Sequence, residues 1–127
     1  MKGVLVCYDS QTGNVERFIS KLGMKAIKIK ENMRIEDDFI FVTYTTGFGE
    51  GPERTLRFLK SNYQKLLAVA ASGNRNWGQN FAKSADIIAR MYQVPVLYKF
   101  ELSGTEKDVI QCKRNIGLLQ QNKQDVI

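Results

Sequence analysis

Six consecutive residues near the start of the chain have the side chains and spacing of a phosphate-binding turn. The run Ser10-Gln11-Thr12-Gly13-Asn14-Val15 lies between an apolar stretch and an amphipathic stretch. Short polar side chains and the unpaired N–H groups at a helix start converge on one point, and Gly13 lets the backbone approach a ligand closely. Ser or Thr at such a turn can equally be a plain helix cap. These six residues alone leave the two interpretations balanced.

Two later polar stretches each combine glycine with one aromatic residue. Thr46-Gly47-Phe48-Gly49-Glu50-Gly51 has three glycines within five positions, which demand unusual backbone angles. Ser72-Gly73-Asn74-Arg75-Asn76-Trp77-Gly78 is the other stretch. Phe48 and Trp77 are placed to flank a planar ring whose phosphate the first turn holds, so the three stretches together predict a cofactor pocket. The residues expected to contact the cofactor outside the first turn are Tyr44, Thr45, Thr46, Gly47, Phe48, Gly49, Ser72, Gly73, Asn74, Asn76, Trp77 and Gly78.

Several of these residues have an ordinary structural alternative. Trp77 would otherwise be a core or surface residue, but its polar neighbours argue against the core and favour ring stacking. Phe48 is favoured as a cofactor or partner contact over a chance surface aromatic. Tyr44, at a strand end, is either a core residue or a neighbour of the ring. Arg75 and Glu50 are as easily solvated charges as functional ones.

Five mainly apolar runs and four amphipathic stretches must position these loops. The runs predict strands over 3–8, 26–29, 39–45, 66–71 and 96–102. Strands that alternate with helices predict an α/β doubly wound sheet with helices on both faces. In such a sheet the loops after the first, third and fourth strands line one edge, where ligands bind. The helical stripes are Val15, Phe18, Ile19 and Leu22; Leu56, Leu59 and Tyr63; Phe81, Ala85, Ile88, Ala89 and Tyr92; and Val109, Cys112, Ile116 and Leu119.

Length and composition predict one globular domain that spans residues 1–127. A hydrophobic fraction of 43% and a charged fraction of 25% exclude the disordered and membrane classes. No run has the length of a transmembrane span. The apolar start of the chain ends at Asp9, too early for the core of a signal peptide, so a cytoplasmic protein is expected.

The charge balance favours an anionic ligand or partner. Nineteen Lys and Arg against thirteen Asp and Glu give a net charge of +6, but the basic residues are scattered, which argues against nucleic acid. The chain has no His and only two distant cysteines, Cys7 and Cys112, so no metal site is expected. Both cysteines are expected to be buried free thiols in a reducing compartment.

Four stretches of the chain carry a resemblance to a known family. Thr12-Gly13-Asn14 resembles the phosphate loop of flavodoxins, which bind flavin mononucleotide (FMN). Residues 10–18, 43–53, 71–78 and 99–105 are similar to the NrdI family, the flavodoxin-like partner of class Ib ribonucleotide reductase. Within this resemblance, the sequence Asn74-Arg75-Asn76-Trp77-Gly78 is the part most specific to the NrdI family. The resemblance implies a flavodoxin-like sheet of five parallel strands in the order 2-1-3-4-5, with FMN as the cofactor.

The same resemblance implies a function. In that family, two-electron-reduced FMN reacts with O2, and the superoxide passes to a dimanganese site in the radical subunit, which then gains its tyrosyl radical. The peptide between Gly47 and Phe48 is by resemblance the redox-linked switch, and an unidentified reductant supplies the electrons. Acidic carriers disfavour the anionic reduced flavin through like-charge repulsion, so the basic balance of this chain is expected to ease full reduction.

Three other functions fit parts of the sequence. A plain electron-transfer flavodoxin would share the cofactor, but oxygen would re-oxidise its flavin slowly. A phospho-receiver domain shares the strand order, but it needs an acidic cluster after the first strand and an Asp at the end of the third. Here the third strand ends Thr43-Tyr44-Thr45-Thr46 and only Asp9 follows the first, which disfavours this class. A nucleotide-binding or structural adaptor would lack flavin absorbance.

Overall fold

Five parallel strands form one sheet at the centre of the molecule. The computed structural model describes residues 4–46 and 51–125, with side chains up to residue 121. The strands are Leu5–Tyr8 (β1), Ala26–Lys28 (β2), Phe39–Tyr44 (β3), Leu66–Gly73 (β4) and Val96–Glu101 (β5). Their order across the sheet is β2-β1-β3-β4-β5, with every neighbouring pair parallel. The predicted doubly wound fold and its strand order are confirmed.

Four α-helices cover the two faces of this sheet. They are Asn14–Leu22 (α1), Glu53–Asn62 (α2), Lys83–Tyr92 (α3) and Glu106–Asp125 (α4). Side chains alternate between the faces of a strand, so Ile40 and Val42 of β3 pack with α1 and α4, whereas Phe39 and Phe41 pack with α2 and α3. Two separate apolar cores result, one on each side of the sheet. None of the helices among the described residues is both long and apolar enough to cross a membrane.

The helix ends follow from local sequence signals. Gly23 ends α1 in the left-handed conformation, and its N–H donates to the Ile19 carbonyl. Before α4, the Thr105 Oγ1 accepts from the Asp108 N–H at 3.2 Å, and the Asp108 carboxylate accepts from the Thr105 N–H at 2.7 Å. This reciprocal pair is a capping box that uses Asp, which confirms the predicted cap at Thr105.

The second helical stripe differs from its prediction. Tyr63 lies beyond the end of α2, in a short 3-10 turn, and is 47% exposed. Leu59 is buried as predicted and Leu56 is partly buried against the same core, and the further buried residues of α2 are Thr55, Phe58 and Asn62. Two members of this stripe are polar and hydrogen-bonded inside the protein, so a search for apolar residues alone misses them.

The fourth strand is longer than its sequence pattern predicts. Ser72 and Gly73 extend β4 and pair with Phe100 and Glu101 of β5. The Ser72 hydroxyl donates to the Leu102 carbonyl at 2.6 Å, beyond the end of β5. The loop that follows β4 therefore begins at residue 74, and it continues over Arg75–Asn80 as two short 3-10 segments separated by a kink at Gly78.

Candidate functional site

The polar loops of interest leave the sheet at one edge, the carboxyl ends of β1, β3 and β4. Tyr8 of β1 pairs with Val42 of β3, and Tyr44 of β3 pairs with Ser72 of β4. The Asp9 N–H then donates to the Val42 carbonyl at 3.2 Å, which ties the first loop to β3. The strand order reverses between β1 and β3, and such reversal points are where doubly wound sheets bind ligands.

The second loop follows β3 and precedes α2. Gly47, Phe48, Gly49 and Glu50 lie outside the described residues. The predicted ring contact of Phe48 and the predicted peptide switch between Gly47 and Phe48 therefore stay predictions from the sequence.

The first loop contains both a helix cap and an open helix start. The Ser10 Oγ accepts from the Glu16 N–H at 3.3 Å, so Ser10 has the capping role that the sequence allowed. Val15 is buried in the core, so only its backbone is available to a ligand. Gln11 and Thr12 are exposed, and Gly13, directly before α1, has φ 91° and contributes no side-chain cap. The backbone of this turn therefore remains accessible at the positive end of α1.

The Arg17 guanidinium lies beside the same turn. Gly13 has a positive φ that L side chains rarely adopt, so the backbone of this turn favours glycine; a Cβ there would also lie 2.9 Å from the Arg17 Nη1, at the end of a flexible side chain. The Arg17 Nη2 donates to the Asn14 Oδ1 at 2.6 Å, and the Arg17 Nε donates to the Ser103 Oγ at 2.9 Å. The Ser103 hydroxyl in turn donates to the Asn14 Oδ1 at 2.8 Å.

Arg17 and Ser103 had no role in the sequence prediction. The signal for Arg17 was its position three residues after Asn14, on the same face of α1. Ser103 could not be found in this way, because it follows β5 and lies 86 residues from Arg17 in sequence. The guanidinium, the glycine cradle and the helix start together offer the donors and the positive charge that a phosphate monoester requires. These residues fit the phosphate of FMN.

The loop after β4 is shaped by its own backbone. The Asn74 Oδ1 accepts from the Asn76 N–H at 2.9 Å, and the Asn74 carbonyl accepts from the Trp77 N–H at 3.0 Å. Gly78 has φ 57° and turns the chain toward α3. Trp77 is half-buried, so part of its ring stays exposed in the loop that leaves this edge. Asn74 thus positions the loop, while Trp77 retains surface for a ligand.

Arg75 is held back against the protein. Its N–H donates to the Glu101 Oε2 at 3.0 Å, and its guanidinium lies 4.6 Å from the centre of the Phe81 ring. Gly73, just before this loop, packs so closely on α3 that an added Cβ would overlap the backbone of Ala82. The structure therefore gives Gly73 a packing role.

A buried carboxylate lies on the other side of β1. Asp9 is fully buried; its Oδ2 lies 3.4 Å from the Arg54 Nε and accepts from the Thr55 Oγ1 at 3.3 Å. The Thr55 and Thr43 hydroxyls lie 3.0 Å apart, which extends the network into β3. The Asp9 Oδ1 has no hydrogen-bond partner among the described residues. This network was not predicted; a charged residue that directly follows a buried strand was its only signal.

Tyr44 stands at the end of β3, half-buried beside this network. Burial and the Asp9 carboxylate raise the pKa of Tyr44, and the neighbouring Arg54 guanidinium partly opposes them. Tyr44 is therefore a neutral hydroxyl at physiological pH. The next residue, Thr45, is buried, and its Oγ1 lies 2.7 Å from the Ser84 Oγ, so its hydroxyl is used inside the protein. Thr46 is half-buried.

Comparisons with known proteins agree with this geometry. A family model described as NrdI flavodoxin-like matches residues 6–114. Protein NrdI of Bacillus licheniformis is 53% identical over 107 residues, which cover 84% of this chain and 82% of that protein. The SPbeta prophage-derived protein NrdI of Bacillus subtilis is 42% identical over 119 residues, which cover 91% of this chain and 92% of that protein.

Solved structures of flavodoxins share the fold at low sequence identity. A short-chain flavodoxin associated with a bacterial microcompartment has a TM-score of 0.74 and 20% identity, over 96% of this chain and 99% of that one. Oxidised flavodoxin 2 from Bacillus cereus has a TM-score of 0.70 and 21% identity, over 95% of this chain and 99% of that one. These likenesses concern the arrangement of the sheet and its helices.

Proposed function

The chain belongs to the NrdI flavodoxin-like family, whose cofactor is FMN, and from this premise we propose that it activates the radical subunit of class Ib ribonucleotide reductase. The family match over residues 6–114 is the observation that carries the proposal. FMN held by the loops at this edge would, after reduction by an unidentified donor, supply electrons to O2, and the resulting superoxide would serve assembly of the dimanganese-tyrosyl radical site in that subunit.

The residues of the first loop would hold the phosphate of FMN. The accessible backbone at Gly13 and Asn14, together with the Arg17 guanidinium, supplies hydrogen bonds and positive charge. Tyr44 and Trp77, both half-buried in segments that leave the same sheet edge, would flank the flavin ring. The predicted contacts of the remaining loop residues stay part of this proposal.

The charged groups around the edge favour a reduced flavin. Arg17, Arg54 and Arg75 lie in or next to the three loops and are exposed. Arg54 pairs with Asp9 and Arg75 with Glu101, whereas Arg17 has no ion pair among the described residues. A cation near the ring lowers the energy of negative charge there, whereas the carboxylates of acidic carriers raise it. The neutral Tyr44 hydroxyl adds no negative charge of its own. We therefore expect full reduction at a higher potential than in acidic electron carriers, and a redox titration measures it.

The decisive experiment is radical assembly. The reduced FMN-loaded protein is mixed with manganese-loaded radical subunit and O2, and electron paramagnetic resonance follows the tyrosyl radical. Radical formation above a flavin-free control is expected. A radical yield no greater than in that control would reject the proposal, and slow re-oxidation by O2 in the same sample would favour a plain electron-transfer flavodoxin.

We also infer a cytoplasmic location. Cys7 and Cys112 are unpaired and buried in the two different cores, and burial raises the pKa of each thiol to about 12. Thiols that are protected in this way suit a reducing compartment. Recovery of the protein outside the cytoplasmic fraction of its host cells would contradict the inference.

A further inference from the structure

A groove of about 500 Å³ lies between α2 and the segment that joins β2 to β3. Five cationic side chains line it, and Glu31 is the one carboxylate among the described residues that do so. The apolar part of the lining is Met33, which is half-buried, and Phe58, which is buried. The cations are Lys30, Arg34, Arg54, Arg57 and Lys60.

The two walls of the groove are fixed to each other by Asn62. This residue is buried at the end of α2, and its Nδ2 donates to the Met33 carbonyl at 3.0 Å and to the Phe58 carbonyl at 2.9 Å. Its Oδ1 accepts from the Ile35 N–H at 2.8 Å. The β2–β3 segment is thus held against α2 by buried hydrogen bonds. A ligand would meet a groove that is already formed, which lowers the entropic cost of binding.

Two of the five cations are paired with carboxylates of the protein. Arg57 pairs with Glu31 at 2.8 Å and with Glu53 at 3.0 Å, and Arg54 pairs with the buried Asp9. The remaining three, which are Lys30, Arg34 and Lys60, are exposed and have no ion pair within the described part of the chain. The groove therefore presents a surplus of positive charge to solvent, and this surplus favours an acidic ligand.

The groove is continuous with the cofactor edge. A second cavity of about 480 Å³ is lined by Tyr44 and Thr46 at that edge, and it shares Glu31, Arg54 and Arg57 with the groove. An extended ligand that lies in the groove therefore reaches toward the predicted position of the flavin.

The spacing of the charges indicates the shape of the ligand. Arg54 and Lys60 are six residues apart on α2, a rise of roughly 9 Å, which matches about three residues of extended peptide. Free phosphate would need cations that converge on one point. Single-stranded nucleic acid stacks its bases on exposed aromatic side chains, and Phe58, the one aromatic side chain among the described lining residues, is buried.

We propose that this groove docks an acidic, extended peptide segment of a protein that works at the flavin site. The inference rests on the proposed function, because that function supplies the reason for a protein partner at this edge. Charge complementarity brings the partner to the groove, and the groove directs it toward the flavin.

A pair of charge-reversal variants of the FMN-loaded protein tests the docking. The first combines Lys30→Glu, Arg34→Glu and Lys60→Glu. The matched control combines Lys107→Glu, Lys113→Glu and Arg114→Glu on α4, which covers the opposite face of the sheet. This control changes the net charge of the protein by the same amount as the groove variant. The probe is a fluorescent peptide of about ten residues that alternates Glu and Ser. Fluorescence anisotropy at low ionic strength measures its affinity.

We expect the groove variant to bind the peptide at least about tenfold more weakly than the unmodified protein, and the control variant less than about threefold more weakly. Retained FMN absorbance shows that both variants are folded. Equal losses in the two variants, or no binding to the unmodified protein, would overturn the proposal. If a thymidine oligonucleotide binds the unmodified protein more tightly than the peptide does, and loses affinity in the groove variant alone, the ligand of the groove is a nucleic acid and the peptide proposal is rejected.

The outcome is separable from that of the proposed function. If radical assembly fails while the peptide still distinguishes the two variants, the docking proposal is supported and the proposed role in ribonucleotide reductase activation is rejected. If radical assembly succeeds and the peptide does not distinguish them, the groove proposal alone is rejected.

Discussion

Helices α1 and α2 both begin at the cofactor edge, but they use their polar residues in different ways. The polar contacts of α1, made by Asn14, Arg17 and Lys21 to the loop after β5, lie at or near the surface. On α2, Arg57 pairs with Glu31 and Glu53 at the surface, but the contacts that Thr55 and Asn62 make are largely buried. Surface contacts can be exchanged for a ligand at little cost, whereas a buried group that loses its partner keeps its full desolvation penalty. We conclude that the polar contacts of α1 are available to the cofactor, whereas the buried contacts of Thr55 and Asn62 on α2 stabilise the fold.

The largest effect is expected at Asn62. Asn62→Ala leaves the Met33 carbonyl and the Ile35 N–H without their partner, so the free energy of unfolding should fall by about 2–3 kcal/mol. Denaturant unfolding of the FMN-free protein measures the loss. Gln64→Ala, at an exposed position just beyond α2, is the control and should stay within about 0.5 kcal/mol of the unmodified protein. Equal stability of the two variants would remove the distinction between the helices.

A smaller loss of stability is expected at Thr55. Thr55→Val keeps the shape of the side chain but removes the donor to the buried Asp9 and the partner of Thr43, which should cost about 1–2 kcal/mol. Thr12→Val is the matched change at an exposed position of the first loop. It should leave stability nearly unchanged and weaken FMN binding instead. The comparison fails if Thr12→Val destabilises the protein as much as Thr55→Val does.

On α1 the expected effect is on binding. Arg17→Ala should weaken FMN binding about fivefold to tenfold, close to 1 kcal/mol, and leave the affinity for riboflavin, which has no phosphate, unchanged. Quenching of flavin fluorescence measures both affinities. Lys21→Ala removes the same charge one turn further along α1, where the Lys21 Nζ bonds to the Ser103 and Gly104 carbonyls. If both variants lose FMN affinity equally, the effect is one of overall charge and Arg17 has no specific role.

The contrast between the helices also explains what the sequence could predict. Continuous apolar runs such as 39–44 and the apolar stripe of α1 determine the sheet and its helices, because burial of those side chains dominates the energy of folding. The loops could be assigned to one edge because strand order decides where strands end.

The polar contacts could not be predicted in the same way. Arg17 reaches Ser103 only because the fold brings α1 to the end of β5. Asp9 and Thr55 are 46 residues apart, and each reads as an ordinary surface residue until the packing of α2 on β1 and β3 is known. Both sets of contacts depend on tertiary structure, which the local pattern of hydrophobic residues does not contain.

The smallest expected effect links the buried network to the site through Tyr44. Burial and Asp9 raise the pKa of Tyr44, and Arg54 opposes them, so Arg54→Ala should raise that pKa further. A tyrosine whose pKa is raised by folding stabilises the protein fully below its unfolded pKa, and this contribution is lost as the pH rises through the folded pKa. Ultraviolet titration of tyrosinate, with Tyr44→Phe subtracted, measures the shift. An unchanged or lower pKa in Arg54→Ala would mean that Arg54 does not lower the pKa of Tyr44, and this electrostatic link between the Asp9 network and the site would then be rejected.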